Sequence, residues 1–201
     1  MVTLKGDEIF LRALEPEDLD FLFEIENNEE FWEVSATSVP FSRYILKQYL
    51  ENSHKDIYEV KQLRLVISTH NGETVGLIDI FDFDPKNRRA ALGILIAPLK
   101  YRNKGYGAEA LNLVAKYCFA HLGLHQVYAN VGEDNTSSRI LFEKSGFILS
   151  ANKKDWNLVN GEYKAELTYQ LLNLKHVHQK NSSYHSFTWY FRFGRFLILY
   201  L

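Results

Sequence analysis

A single cysteine stands among the 201 residues, so no internal disulfide can form. That residue, Cys118, lies on the apolar side of a helical pattern, where a small core residue is expected rather than a reactive thiol. Surplus charge is equally scarce. The chain carries 23 Lys and Arg against 25 Asp and Glu, and a net charge of -2 gives no electrostatic reason for nucleic acid to bind. The opening Met-Val-Thr-Leu-Lys-Gly-Asp-Glu lacks the apolar stretch of a secretory signal, so the cytoplasm is the expected compartment. Acidic residues are missing from 175–201, where residues 187–201 are dense in Phe, Tyr, Trp and Leu. That run is too short, and too interrupted by Arg192 and Arg195, to span a bilayer. Residues 174–201 are therefore set apart as a tail without an assigned role: a membrane-surface or oligomer contact and an appended segment without function both stay open, the membrane being the less favoured partner.

What remains is a globular composition. Hydrophobic residues at 46% and aromatics at 14% suit one domain with a full core, expected over residues 1–173. Its organising stretch starts with the apolar run Ala91-Leu-Gly-Ile-Leu-Ile-Ala97, a buried strand. Pro98 follows, then the basic loop Arg102-Asn103-Lys104-Gly105-Tyr106-Gly107. A helix comes next, with Ala108, Leu111, Val114, Ala115, Cys118, Phe119 and Leu122 on one face and Gly123 as its stop. The first N–H groups of that helix point back into the loop, where they and the helix dipole favour an anion. Glycine lets a phosphate approach the backbone, and Arg102 and Lys104 add positive charge. A Walker-type loop is excluded because Ala108, not Lys with Ser or Thr, follows Gly107. Gly105, Gly107 and Ala110 formally satisfy a dinucleotide fingerprint. That motif belongs in a tight strand-to-helix turn, however, and here a long segment intervenes.

Along the rest of the chain, alternation predicts a strand over 9–14, and Pro16 opens a helix that ends at Asn27 and Asn28. Residues 29–40 have no clean period and are expected to form a loop or short helix. Glu29, Glu30 and Glu33 beside Trp32 form a candidate cation site there, against the alternative of a solvated acidic loop around a buried Trp32. Ser42 caps a helix to Asn52. Strands over 63–69 and 74–84 flank Asn71-Gly72, the strongest short hairpin signal, and a further strand runs from Arg88 to Ile96. After the central helix come a strand over 126–131, a helix over 136–145 capped by Asn135, and strands over 147–152 and 163–172. The expected fold class is α/β, a mostly antiparallel sheet with one strand-helix-strand crossover.

Two blocks carry a family resemblance. Arg102, Gly105 and Gly107, after a strand and opening a helix, resemble the acyl-CoA pyrophosphate loop of the GNAT superfamily of N-acetyltransferases. The stretch Asn135-Thr-Ser-Ser-Arg-Ile-Leu-Phe-Glu-Lys-Ser-Gly-Phe147 resembles that family's later motif. The likeness covers about residues 7–173 and is nearest to the polyamine and ribosomal-protein N-terminal acetyltransferase branches. It implies a mixed sheet flanked by helices around a β-α-β acyl-CoA-binding core. Acetyl-CoA is then the co-substrate and no metal is required. Its pantetheine would lie along the strand through Ile94, Leu95 and Ile96, pairing with backbone of Ile94 and Ile96. Its pyrophosphate would lie on Arg102, Asn103, Lys104, Gly105, Tyr106 and Gly107, with further contacts from Asn135 and Phe142.

The acceptor implied is a primary amine, a small polyamine or diamine, which attacks the acetyl group directly. Protein N-termini are the alternative acceptor, and a non-catalytic acyl-CoA-binding module is the alternative class. Asp79 and Asp82, three apart in a strand and so on opposite faces, are the candidates for taking the ammonium proton. A competing reading makes Asp79 a strand carboxylate paired with an arginine such as Arg88 or Arg89. The family's usual acid, a Tyr, is replaced by Phe142, which has no proton to give. Self-association into a homo-oligomer stays open.

Overall fold

The structure, a computed structural model, describes residues 3–35 and 37–174, together with all their side chains except those of Glu33 and Val34. The tail beyond 174 lies outside the described residues.

Seven strands form one sheet in the order β1-β2-β3-β4-β5-β7-β6. They are β1 (Ile9–Arg12), β2 (Leu63–Thr69), β3 (Thr74–Asp84), β4 (Arg89–Ile96), β5 (Gln126–Gly132), β6 (Ile148–Val159) and β7 (Glu162–Leu172). Every neighbouring pair is antiparallel except β4 with β5. A parallel pair needs a long crossover, and the organising helix, α5 (Tyr106–Ala120), supplies it. Its buried side, including Ala110, Leu111, Val114, Ala115 and Cys118, packs on Ile78, Ile80, Leu92 and Val127. Burial pushes the Cys118 thiol up to about 12, as expected of a core residue rather than a nucleophile. α6 (Thr136–Lys144) lies beside α5, and its Phe142 joins the same core.

The opposite face is covered by α1 (Leu19–Glu26) and α3 (Arg43–Glu51), whose Leu22, Ile25, Leu46 and Leu50 pack on Val66 and Leu77. Ser42 caps α3 as its sequence implies, accepting a bond from the Ile45 amide at 3.2 Å. Two helices were not resolved by periodicity: α2 (Glu29–Ser35), in the stretch expected as a loop or short helix, and the single turn α4 (Ile57–Val60). β6 also runs seven residues beyond the expected 152. It pairs with β7 alone and is exposed through most of its length, so no apolar alternation marks it.

One departure from a continuous sheet positions the site. β4 stays paired with β3 as far as Ile96, and β5 with β7 as far as Gly132, but β4 and β5 pair only from Arg89–Gln126 to Ala91–Tyr128. Each strand keeps its antiparallel partner, and the weaker parallel seam opens.

Candidate active site

The opened seam is a cleft of about 530 Å³. β4 from Leu92 to Leu95 forms one wall, and the other runs from Asn130 on β5 into α6, with Asn135, Ser138 and Phe142. Strand register fixes which backbone groups face it. The Ala97 amide donates to Val75 on the β3 side, so odd-numbered residues of β4 point that way and even-numbered ones point toward β5. At the closed end this agrees with the Gln126 amide donating to the Arg88 carbonyl. Ile94 therefore turns its N–H and C=O into the gap, and Asn130 does so from the far wall. A strand-like chain with amide groups fits between them. Ile96 points the same way, but its carbonyl already accepts from Arg102 Nε at 3.0 Å.

The basic loop lies past the end of β4 and does not line the cleft. A single 3-10 turn, Leu99–Tyr101, leads to Arg102, whose side chain is held by the end of β4 and lies 5.9 Å from the Phe31 ring. Lys104 sits over the Tyr101 ring. Gly105 is the N-cap of α5 at φ +88°, in open surroundings, so its backbone conformation alone calls for glycine. Gly107 serves packing: a Cβ there would lie 3.2 Å from the Leu141 side chain of α6. Only Gly105 is therefore required by the loop's own conformation, whereas Gly107 lets α5 and α6 approach. Asn135 caps α6 through the Ser138 amide at 3.1 Å and also lines the cleft.

At the other end of the cleft, Asp79 stands on β3 opposite Gly93, and a Cβ built on Gly93 would lie 3.9 Å from that of Asp79. Its carboxylate accepts two bonds from Arg64, Nε to Oδ1 at 2.7 Å and Nη2 to Oδ2 at 3.1 Å, while Arg64 Nη1 reaches Glu26 Oε1 at 2.6 Å. The competing reading of Asp79 as an arginine-paired strand carboxylate thus holds in kind, with Arg64 as the partner: Arg88 donates to the Gly123 carbonyl and Arg89 pairs with Asp84. Neither Arg64 nor Glu26 was among the residues singled out from the sequence. The β2–β3 register sets Arg64 directly across from Asp79, but counting out from the turn does not find that pair, because the hairpin closes at Thr69–Glu73 and a bulge between Ile67 and Ser68 shifts the register by one. Asp82 does not line the cleft. It occupies the irregularity between Phe81 and Asp84 at φ +49°, with Tyr128 donating to it at 3.4 Å.

The acidic stretch is placed differently from the cation site considered for it. Glu29 and Glu30 are exposed in the first turn of α2, where their charge suits the helix dipole, and they do not line the cleft. Trp32 is half-buried and donates Nε1–H to the Glu26 carbonyl at 2.9 Å, tying α2 to the end of α1. The Glu33 side chain lies outside the described residues. From α2 it is Phe31 and Ser35 that reach the cleft.

Residues 8–148, more than half of the chain and both facing strands of the cleft, match the model of the acetyltransferase (GNAT) domain. The chain belongs to the GNAT acetyltransferase family. It is similar to the spermidine N(1)-acetyltransferase of Vibrio cholerae, 26% identical over 177 residues, which span 87% of this chain and 98% of that protein. Similarity extends to a putative ribosomal N-acetyltransferase of Bacillus subtilis, 28% identical over 180 residues, spanning 86% of this chain and 96% of that one. The crystal structure of the Vibrio cholerae enzyme in complex with CoA and spermine superposes with a TM-score of 0.75 at 26% identity, covering 86% of this chain and 99% of that one. As a GNAT acetyltransferase the protein takes acetyl-CoA as its co-substrate, and the mixed seven-stranded sheet is the GNAT fold.

Phe142, which the family resemblance sets where a Tyr is usual, lines the cleft. It is 3% exposed and packs edge-on against Phe147 at 5.0 Å and face-on with Tyr169 at 6.5 Å. The nearby hydroxyl of Tyr169 is engaged with Glu143 at 2.9 Å, and burial pushes its pKa up. Among the described residues that line the cleft, none is a tyrosine.

Proposed function

We propose that this GNAT enzyme transfers acetyl from acetyl-CoA to a primary amine of a polyamine or diamine by direct attack. The observation that carries this is the pair of carboxylates, Asp79 and Glu26, at the end of the cleft where β4 leaves β5. Pantetheine enters between Ile94 and Asn130 as a chain bonded to backbone on both sides, and a β4 N–H donates to the thioester oxygen as charge develops there. The Arg102–Gly107 loop and the amides at the start of α5 receive the pyrophosphate, with Asn135 alongside. The amine approaches over Gly93. Its nitrogen bonds to the carbonyl carbon, the C–S bond breaks, and the sulfur leaves with the electron pair. Before the attack the ammonium gives one proton to Asp79, or through it to water, which frees the nitrogen lone pair; the surplus proton that the nitrogen carries after the attack is lost to water. With Phe142 at the acid's position, the sulfur departs as thiolate, which a thiol pKa of about 8.5 permits near neutrality.

The similarity to spermidine acetyltransferases supports a cationic acceptor. A cytoplasmic setting suits a chain with one cysteine. Exposed Trp156, Leu158 and Tyr163 on the β6–β7 hairpin supply a surface for self-association, and one Vibrio cholerae relative is dodecameric.

The test is thiol release from acetyl-CoA, with the acetylated product identified by mass, across spermidine, spermine, diamines, monoamines, amino acids and short peptides. Turnover of the polyamines and diamines is the expected result. Turnover confined to peptides would redirect the function to protein N-termini. Binding of acetyl-CoA without release by any amine would make the protein a silent acyl-CoA binder.

A further inference from the structure

Arg64 has no part in the reaction outlined above, yet it lies at the acceptor end, with its side chain only 20% exposed. Its guanidinium sits 5.7 Å from the Tyr49 ring and divides three strong bonds between carboxylates from two elements, Glu26 at the end of α1 and Asp79 in β3. Burial works against the charged guanidinium, but Asp79, Tyr49 and Glu26 outweigh it and raise its pKa further, so it stays charged. Two negative groups around one positive group leave a net charge of about -1 at this end of the cleft.

That charge is spread over two positions. Asp79 spends both oxygens on Arg64 beside Gly93, where the reacting nitrogen must stand. An ammonium there meets the guanidinium's field, which favours the neutral, nucleophilic form. Glu26 accepts one bond from Arg64 and retains acceptor capacity toward the cleft, on the far side of the guanidinium from Asp79.

We infer that Arg64 is a positioning and specificity-determining residue. It fixes Asp79 for the reacting nitrogen and Glu26 for a second ammonium on the same acceptor, so the cleft selects amines that carry a second cation over monoamines of equal length. The inference rests on the acyl-transfer reading of the cleft. A monoamine fills the place beside Asp79 and leaves Glu26 to water; a diamine engages both.

The experiment compares kcat/KM for a diamine and a monoamine of matched chain length in the wild type, Glu26→Gln and Arg64→Lys, with thermal melts confirming that each variant is folded. The wild type is expected to prefer the diamine by about tenfold, the equivalent of one partly buried ion pair. Glu26→Gln should remove most of that preference through the diamine's KM. Arg64→Lys keeps the charge but loses the two-bonded hold on Asp79, and should lower kcat for both amines. An unchanged diamine-to-monoamine ratio in folded Glu26→Gln would overturn the inference, as would equal use of the two amines by the wild type. If the wild type acetylates neither amine, the acyl-transfer reading falls with it, so the two failures are told apart.

Discussion

Asp79 stands opposite Gly93 in the β3–β4 register, two residues beyond Ala91, where β4 makes its last pair with β5. The carboxylate is thus held at the point where the sheet opens. Asp79→Asn keeps the shape but removes the charge, and should lower kcat/KM for the amine about a hundredfold, the lower range of acid–base contributions. Affinity for CoA, measured by calorimetry, should stay within about twofold, since the contacts proposed for CoA lie on other residues. Asp82→Asn, outside the cleft, serves as the control and should leave turnover near that of the parent.

Phe142→Tyr restores a hydroxyl at the position of the GNAT acid. The ring is 3% exposed, packs against Phe147 and Tyr169 and lines the cleft wall, where the added hydroxyl is tested as the acid. Turnover should rise by about tenfold or more, with the gain fading as the pH approaches about 10, where a tyrosine hydroxyl ordinarily loses the proton it would donate. A pH–rate comparison of the two proteins measures this.

The glycines should rank by what each one avoids. A Cβ on Gly76 would lie 2.0 Å from the Leu95 carbonyl oxygen, so Gly76→Ala forces β3 and β4 apart and should cost about 3 kcal/mol. Gly105→Ala meets open space but a φ of +88°, for about 1–2 kcal/mol. Gly107→Ala meets only the end of the Leu141 side chain and should cost less than about 1 kcal/mol. Denaturant titrations give the order.

Arg12 holds Asp18 by two bonds of 2.7 Å, and the Glu15 amide donates to the same carboxylate at 2.8 Å. Burial alone would raise the Asp18 pKa, but these bonds outweigh it and the pKa is lowered. A carboxyl with a depressed folded pKa stabilises the fold above its unfolded value of about 3.9, and that contribution is lost as pH falls through the lower, folded value. Asp18→Asn should therefore cost about 2 kcal/mol near neutrality, and much less than that in strong acid. Urea titrations across the acid range check the sign.

Local chemistry made the fold largely legible in the sequence. Ser42 and Asn135 cap helices because each has an amide within reach three residues on, and Asn71-Gly72 turns a hairpin for equally local reasons. The outer half of β6 was not legible. Lys154, Asp155 and Trp156 are exposed in a strand with one neighbour, so no apolar alternation marks them. Within the site, Asp79, Asn135, Phe142 and the strand through Ile94 were picked out, and all of them line the cleft. Glu26 and Arg64 were not, because their bonds join three elements distant in sequence. Asp82 was placed by alternation, and the bulge that displaces it broke that alternation.

The central claim is that the gap between β4 and β5 receives the acyl donor through strand backbone. Amide hydrogen exchange with and without CoA, followed residue by residue by NMR, tests it most directly. The account predicts that CoA slows exchange at Ile94 and Asn130, which face the gap, and leaves Leu95, already turned toward β3, unchanged. Saturating CoA with no added protection at Ile94 and Asn130 would contradict it.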